Sequence, residues 1–99
     1  MQFQLTKDRK FTRLVTVHIP NEQGEFDQST LRATFRIAPT DEVVSSEKRL
    51  LDLVLVDLPE LEQEGFSKAE LLEAVKNDPC AGPALIREYN EAVAKKNYG

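Results

Sequence analysis

Between Phe11 and Ile19 apolar residues return at alternate positions. Phe11, Val15, Val17 and Ile19 share one face of an extended chain, and Thr12, Thr16 and His18 the other. Arg13 and Leu14 interrupt the alternation, which predicts a bulge or an edge position there. A second run is cleaner, with Leu31, Ala33, Phe35 and Ile37 on one face and Arg32, Thr34 and Arg36 on the other. The polar, turn-forming stretch from Pro20 to Gln28 separates the two runs and predicts an antiparallel hairpin. Phe3 and Leu5 stand where they could add a short third strand or cover the sheet edge.

After Pro39 the apolar period lengthens from two to about 3.6. Thr40, Asp41 and Glu42 combine a cap residue with acids suited to a helix N-terminus, and Val43, Val44, Leu50, Leu51, Val54, Leu55 and Leu58 follow. The pattern predicts a helix from Thr40 to Asp57. Residues 52–57 also satisfy a strand, because they alternate and include β-branched side chains. Pro59 ends either version. Ser67 with Glu70 three residues on matches a capping box, and Phe66 and Leu71 occupy the positions of a hydrophobic staple. Leu71, Leu72 and Val75 form the inner face of that helix, which Asn77, Asp78 and Pro79 terminate. Leu85, Ile86, Tyr89, Ala92 and Val93 make one stripe on a last helix, whose start is set by Pro79 or by Pro83. The expected architecture is α+β in a single domain, 1–99. Residues 1–38 form an N-terminal antiparallel β-hairpin or small sheet, and residues 40–97 about three α-helices.

A chain of 99 residues suits one core but not a core plus a deep enclosed active site. Charge refines this picture. Residues 1–40 carry six basic and four acidic side chains, and residues 41–99 carry seven basic and 13 acidic, so a +2 hairpin region adjoins a −6 helical region. The total of −4 does not provide the concentrated basic face that a nucleic-acid phosphate backbone requires. The apolar run from Leu50 to Leu58 is broken by Asp52 and Asp57 and is far shorter than a membrane span. No segment at the N-terminus resembles a signal peptide, and a single cysteine fits a reducing cytoplasm.

Candidate chemistry is sparse. One histidine and one cysteine cannot make a zinc site of four nitrogen or sulfur ligands. His18 falls on the polar face of a strand, and Cys80 beside Pro79 reads as a packed thiol. Glu60, Glu62 and Glu64 form a solvated acidic loop with nothing to raise a carboxyl pKa for acid catalysis. The glycines are isolated, so no phosphate-binding loop is present. Lys7, Asp8, Arg9 and Lys10 between Phe3 and Phe11 have the composition of a single-strand contact. Both rings lie on the apolar face of the pattern, however, and the charges read as a solvated turn. The reading is of a non-enzymatic domain without catalytic residues, cofactor or metal.

Two blocks resemble the tail assembly chaperones of long-tailed phages and prophages. Phe3-Gln4-Leu5-Thr6-Lys7-Asp8-Arg9-Lys10-Phe11, followed by Val15-Thr16-Val17-His18-Ile19-Pro20, looks like the family's F-x-L-T-K-D-x-x-F … V-x-V-x-x-P opening. Phe66-Ser67, Leu71-Leu72, Pro79, Ala84-Leu85, Tyr89 and Asn97 are similar to its closing block, and Ala33 to Arg36 match its middle strand. Val54 to Leu61 departs from the family's W-x-G-V segment. The resemblance implies a protein of the host bacterial cytoplasm, absent from the finished virion, that binds the tape measure protein during tail morphogenesis, with homo-oligomerisation as a further possibility. Net acidity and the short, charge-broken apolar run argue against a nucleic-acid or membrane partner. On this view the acidic helical half offers the client groove, with Leu50, Val54, Leu61, Leu85 and Tyr89 as candidates. The alternatives are another phage structural or morphogenesis adaptor and, behind it, a small nucleic-acid-binding regulator.

Overall fold

The computed structural model describes residues 9–45 and 49–98. The expected strand made by Phe3 and Leu5, together with Lys7 and Asp8 of the basic cluster, lies outside them. Strand β1, Lys10–Pro20, pairs antiparallel with β2, Phe26–Arg36, in an unbroken register from Lys10 opposite Arg36 to Pro20 opposite Phe26. The connecting loop is organised by Asn21, whose side-chain oxygen accepts hydrogen bonds from the backbone N–H groups of Gln23 (3.1 Å) and Glu25 (3.0 Å). Gly24 supplies the positive φ of 80° that the turn requires.

Phe11, Val15, Val17, Leu31, Ala33 and Phe35 line the inner face as the alternation predicts, all of them buried or partly buried. Ile19 belongs to that face but lies beyond the core, and residues 18–20 and 26–30 are exposed on both faces. The hairpin therefore projects from the body, in keeping with a radius of gyration of 15.0 Å, against about 13 Å for a compact chain of this length. No bulge interrupts β1 at Arg13 and Leu14, although β1 is an edge strand of the sheet. Arg13 stays on the inner face because Glu88 of the last helix receives its guanidinium at 2.6 Å, and Leu14 faces solvent on the outer side.

The helix expected over residues 40–57 is instead two short helices and a strand: α1, Thr40–Ser45; α2, Leu50–Val54; and β3, Leu55–Asp57. The second edge of β2 explains the change. Its backbone groups need partners, and Leu55 opposite Phe35 supplies them while burying its side chain. Of the two readings of residues 52–57, the strand holds for the last three. A register shift between Thr34 and Phe35 places the sheet's irregularity here, and the strand order is β1-β2-β3. Arg36 braces the junction by donating to the Leu53 carbonyl (2.9 Å) and to both carboxylate oxygens of Glu42 (3.0 and 3.1 Å).

Helix α3, Lys68–Asn77, begins with the predicted capping box: Ser67 accepts from the Glu70 N–H at 3.2 Å, and Glu70 accepts from the Ser67 N–H at 3.4 Å. Helix α4, Ala81–Tyr98, contains Pro83, and Pro79 lies two residues before its start. The Gly82 N–H donates to the Asp78 carbonyl (2.9 Å) across the preceding turn, which holds Pro79, while Pro83 lies in the first turn of the helix. Asp78 also accepts from the N–H groups of Cys80 and Ala81 through its carboxylate, both at 2.8 Å, while its own N–H closes α3 on the Val75 carbonyl. A single residue thus ends one helix and starts the next. Gly82 lets the two helices meet closely, since a Cβ there would lie 2.9 Å from the Lys76 carbonyl oxygen.

The core lies between the inner sheet face and helices α2 and α4. Phe11, Phe35 and Tyr89 form an aromatic triad with ring centroids 5.3, 5.7 and 6.2 Å apart. The Tyr89 hydroxyl accepts from the Ala38 N–H at 3.4 Å, which satisfies a buried backbone donor. Ile86, expected on the buried stripe of α4, is exposed.

Candidate partner-binding surface

Three of the five residues expected on a client groove fill the core instead. Val54 and Leu85 are fully buried and Tyr89 nearly so, in one apolar cluster against which Leu50 and Leu61 are partly buried. The structure brings all five together, but from within. Only Leu50 and Leu61 keep enough surface to meet a partner.

A different surface emerges where the loop after β3 turns into α3. Leu61, Phe66 and Leu71 form the apolar floor of an open groove of about 650 Å³, rimmed by Glu62, Gln63 and Glu64. Leu71 is buried at the floor, whereas Phe66 remains 49% exposed. The groove keeps its shape through Lys68, whose Nζ donates to the carbonyls of Leu58 (2.6 Å) and Leu61 (3.2 Å) and lies 3.7 Å from Asp57. That ammonium is committed to the loop backbone, which leaves the rim acidic. Gly65, at φ 88°, makes the turn between the acidic rim and Phe66. Such a surface suits a partner segment with an apolar anchor and basic flanks. The capping box and staple marked this position in the sequence, but half-exposure of Phe66 has no signature in a linear pattern.

A second cleft of about 470 Å³ lies between the start of β1 and the later turns of α4, lined by Phe11, Thr12, Arg13, Ile37, Ala92 and Val93 with Arg9. Other apolar side chains are exposed singly: Leu14, Ile19, Phe26 at the hairpin tip, and Val44, which is 79% exposed on α1.

The charge asymmetry is consumed largely inside the molecule. Arg13, Arg32 and Arg36 of the hairpin pair with Glu88, Glu60 and Glu42 of the second half at 2.6, 3.0 and 3.0 Å. A separate network ties α2 to α3. Arg49 grips both carboxylate oxygens of Asp52 (3.0 and 3.1 Å), reaches Glu73 (3.3 Å) and donates to Asn77, while Lys76 approaches Asp52 at 3.3 Å. The hydrogen bond from Arg49 lowers the Asp52 pKa below the usual carboxylate value, with Lys76 adding to it against the opposing effect of desolvation. Asp52 raises that of Arg49 in turn.

Among the described residues no three His, Cys, Asp or Glu side chains group as metal ligands. His18 is exposed on the outer sheet face and Cys80 is partly buried at the start of α4. Among the described residues no helix is long and apolar enough to cross a membrane. No protein-family model matches this chain, and no curated protein or solved structure is significantly similar to it.

Proposed function

We propose that this chain is a non-catalytic protein-binding domain, a tail assembly chaperone of the long-tailed phage kind, that shields apolar helical surface of a tape measure protein until tail tube subunits enclose it. The observation that carries the reading is the acidic-rimmed groove lined by half-exposed Phe66 and buried Leu71. A holding protein must bury a client's apolar face and release it, which favours a shallow open groove over an enclosed pocket. The likeness of the opening and closing blocks to that family points the same way and supplies the client's identity. On this reading the protein acts in the host bacterial cytoplasm and leaves before the particle is complete.

Co-expression with the tape measure protein is the direct test. The client should become soluble and co-purify with this chain, and Phe66→Glu should abolish that effect while the circular dichroism spectrum stays unchanged. A tape measure protein equally soluble with and without this chain overturns the proposal. Finding the chain in purified particles by mass spectrometry would favour a structural adaptor instead.

A further inference from the structure

We infer that the partner-binding surface continues from the groove onto the outer face of the hairpin as far as Phe26, and that it takes one long amphipathic helix whose apolar stripe is flanked by lysine or arginine. This rests on the groove reading above and adds the extent of the surface and the chemistry of its partner. Helices α2 and α4 pack against the inner face of the sheet. On the outer face the register sets Leu14 beside Arg32 and Pro20 beside Phe26, and Leu14 and Phe26 are 53% and 64% exposed. A cleft of about 160 Å³ joins that face to the groove. The strands line it with Leu14, Thr30 and Arg32, the loop after β3 with Glu60 and Leu61, and Leu61 lines the groove as well.

The charges along this path have one sign. No lysine or arginine lies between Leu14 and Leu31, whereas Glu22 and Glu25 are exposed at the hairpin tip. Glu62 and Glu64 rim the groove at the other end. The two cations between are engaged: Arg32 pairs with Glu60 at 3.0 Å, and Lys68 donates to the Leu58 and Leu61 carbonyls. Lys10 stands beside Arg36 at the opposite end of the hairpin, so the acidic path leads toward the tip. Exposed leucine and phenylalanine bordered by acids fit a partner whose apolar side chains are bordered by cations.

A sheet face is covered by a helix layer, as the inner face already is, and an amphipathic helix presents its apolar stripe and flanking charges to one side. From the Leu14–Arg32 pair to the Pro20–Phe26 pair the hairpin runs about 20 Å at ~3.3 Å per residue. At about 1.5 Å of rise per residue, that face alone takes about 13 residues of helix, before the groove is reached. Residues 1–8 do not compete for the tip. They adjoin Arg9 and span at most about 28 Å, whereas Pro20 and Phe26 lie about 36 Å from Arg9 along the strand.

Fluorescence anisotropy with the full chain and two labelled synthetic helical peptides of about 20 residues tests this. Both peptides carry the same leucine stripe, flanked by lysine in one and by glutamate in the other. The lysine peptide should bind at least about tenfold more tightly, and added salt should weaken it. Phe26→Ser should weaken it about fivefold or more. Phe26 is well exposed, so the fold should survive, with circular dichroism as the check. Equal affinity for the two peptides, or binding of neither, overturns the inference. So does lysine-peptide binding that Phe66→Glu abolishes and Phe26→Ser leaves unchanged, because it confines the partner to the groove. Weakening by Phe26→Ser and a preference for lysine, alongside a tape measure protein that stays insoluble, uphold this surface and remove only the client proposed above.

Discussion

Leu85 separates a core role from a client role in one measurement. It is fully buried on α4, one turn before Tyr89, within the cluster that joins the sheet to α2 and α4. Leu85→Ala deletes three carbon atoms, worth about 2.4 kcal/mol in lost transfer free energy at ~0.8 kcal/mol each. The walls are the sheet face and a second helix, which cannot collapse far, so a cavity contribution is added and the total should reach about 3 to 4 kcal/mol. A domain of this length has only about 5 to 15 kcal/mol of stability to lose. At roughly 4 to 8 °C per kcal/mol, the melting temperature should fall by about 12 to 30 °C. Leu61→Ala, at a partly exposed position lining the groove, should cost about 1 kcal/mol. Thermal and urea unfolding followed by far-UV circular dichroism measure both. A Leu85→Ala variant that melts within about 3 °C of the parent would refute the placement of Leu85 in the core. A larger loss from Leu61→Ala would do so too.

Gly82→Ala should lower the melting temperature, although an exposed helical glycine usually gains about 1 kcal/mol from this change. The new methyl would meet the Lys76 carbonyl at 2.9 Å, and overpacking of that kind costs about 1 to 3 kcal/mol; a clear rise in melting temperature would show that α3 and α4 do not approach so closely. Acidification tests the Arg49–Asp52–Lys76 network. The native pKa of Asp52 is depressed, so its contribution is present above the ordinary carboxylate range and is lost as pH falls through the lower native value. Urea midpoints between neutral pH and strong acid should therefore fall more steeply for the parent than for Asp52→Asn, and parallel profiles would remove Asp52 from the account.

Much of the hairpin is legible in the sequence because a period of two is a geometric property of the extended chain and needs no tertiary information. The same holds for the start of α3, where the Ser67 and Glu70 hydrogen bonds are local. Residues 50–58 are different. Their apolar run satisfies both periods, and the unpaired edge of β2, a feature some twenty residues away, converts Leu55–Asp57 into strand. Arg13 misleads for a related reason: a charge on an apolar face looks like a register break until Glu88 arrives to pair with it. The candidate groove was hardest to read. Apolar periodicity marks Val54, Leu85 and Tyr89 as strongly as it could mark any binding surface, and burial belongs to the assembled layers. Phe66 was visible as a staple, but its exposure is decided by the loop that Lys68 pins beneath it.

The aromatic triad has a consequence for the order in which the chain can fold during synthesis. Phe11 and Phe35 meet through β1 and β2, as soon as the hairpin forms, but the ring that completes their cluster is on α4. A nascent chain emerging N-terminus first displays those two rings, with Val15 and Ala33, until Tyr89 and Leu85 leave the ribosome. Closure then comes late and at long range, as the α4–β1 contact and the Arg13–Glu88 pair form together. A product that stops before α4 would keep a sticky β-hairpin without its lid. Aggregation of such truncated products is the hazard that this topology builds in.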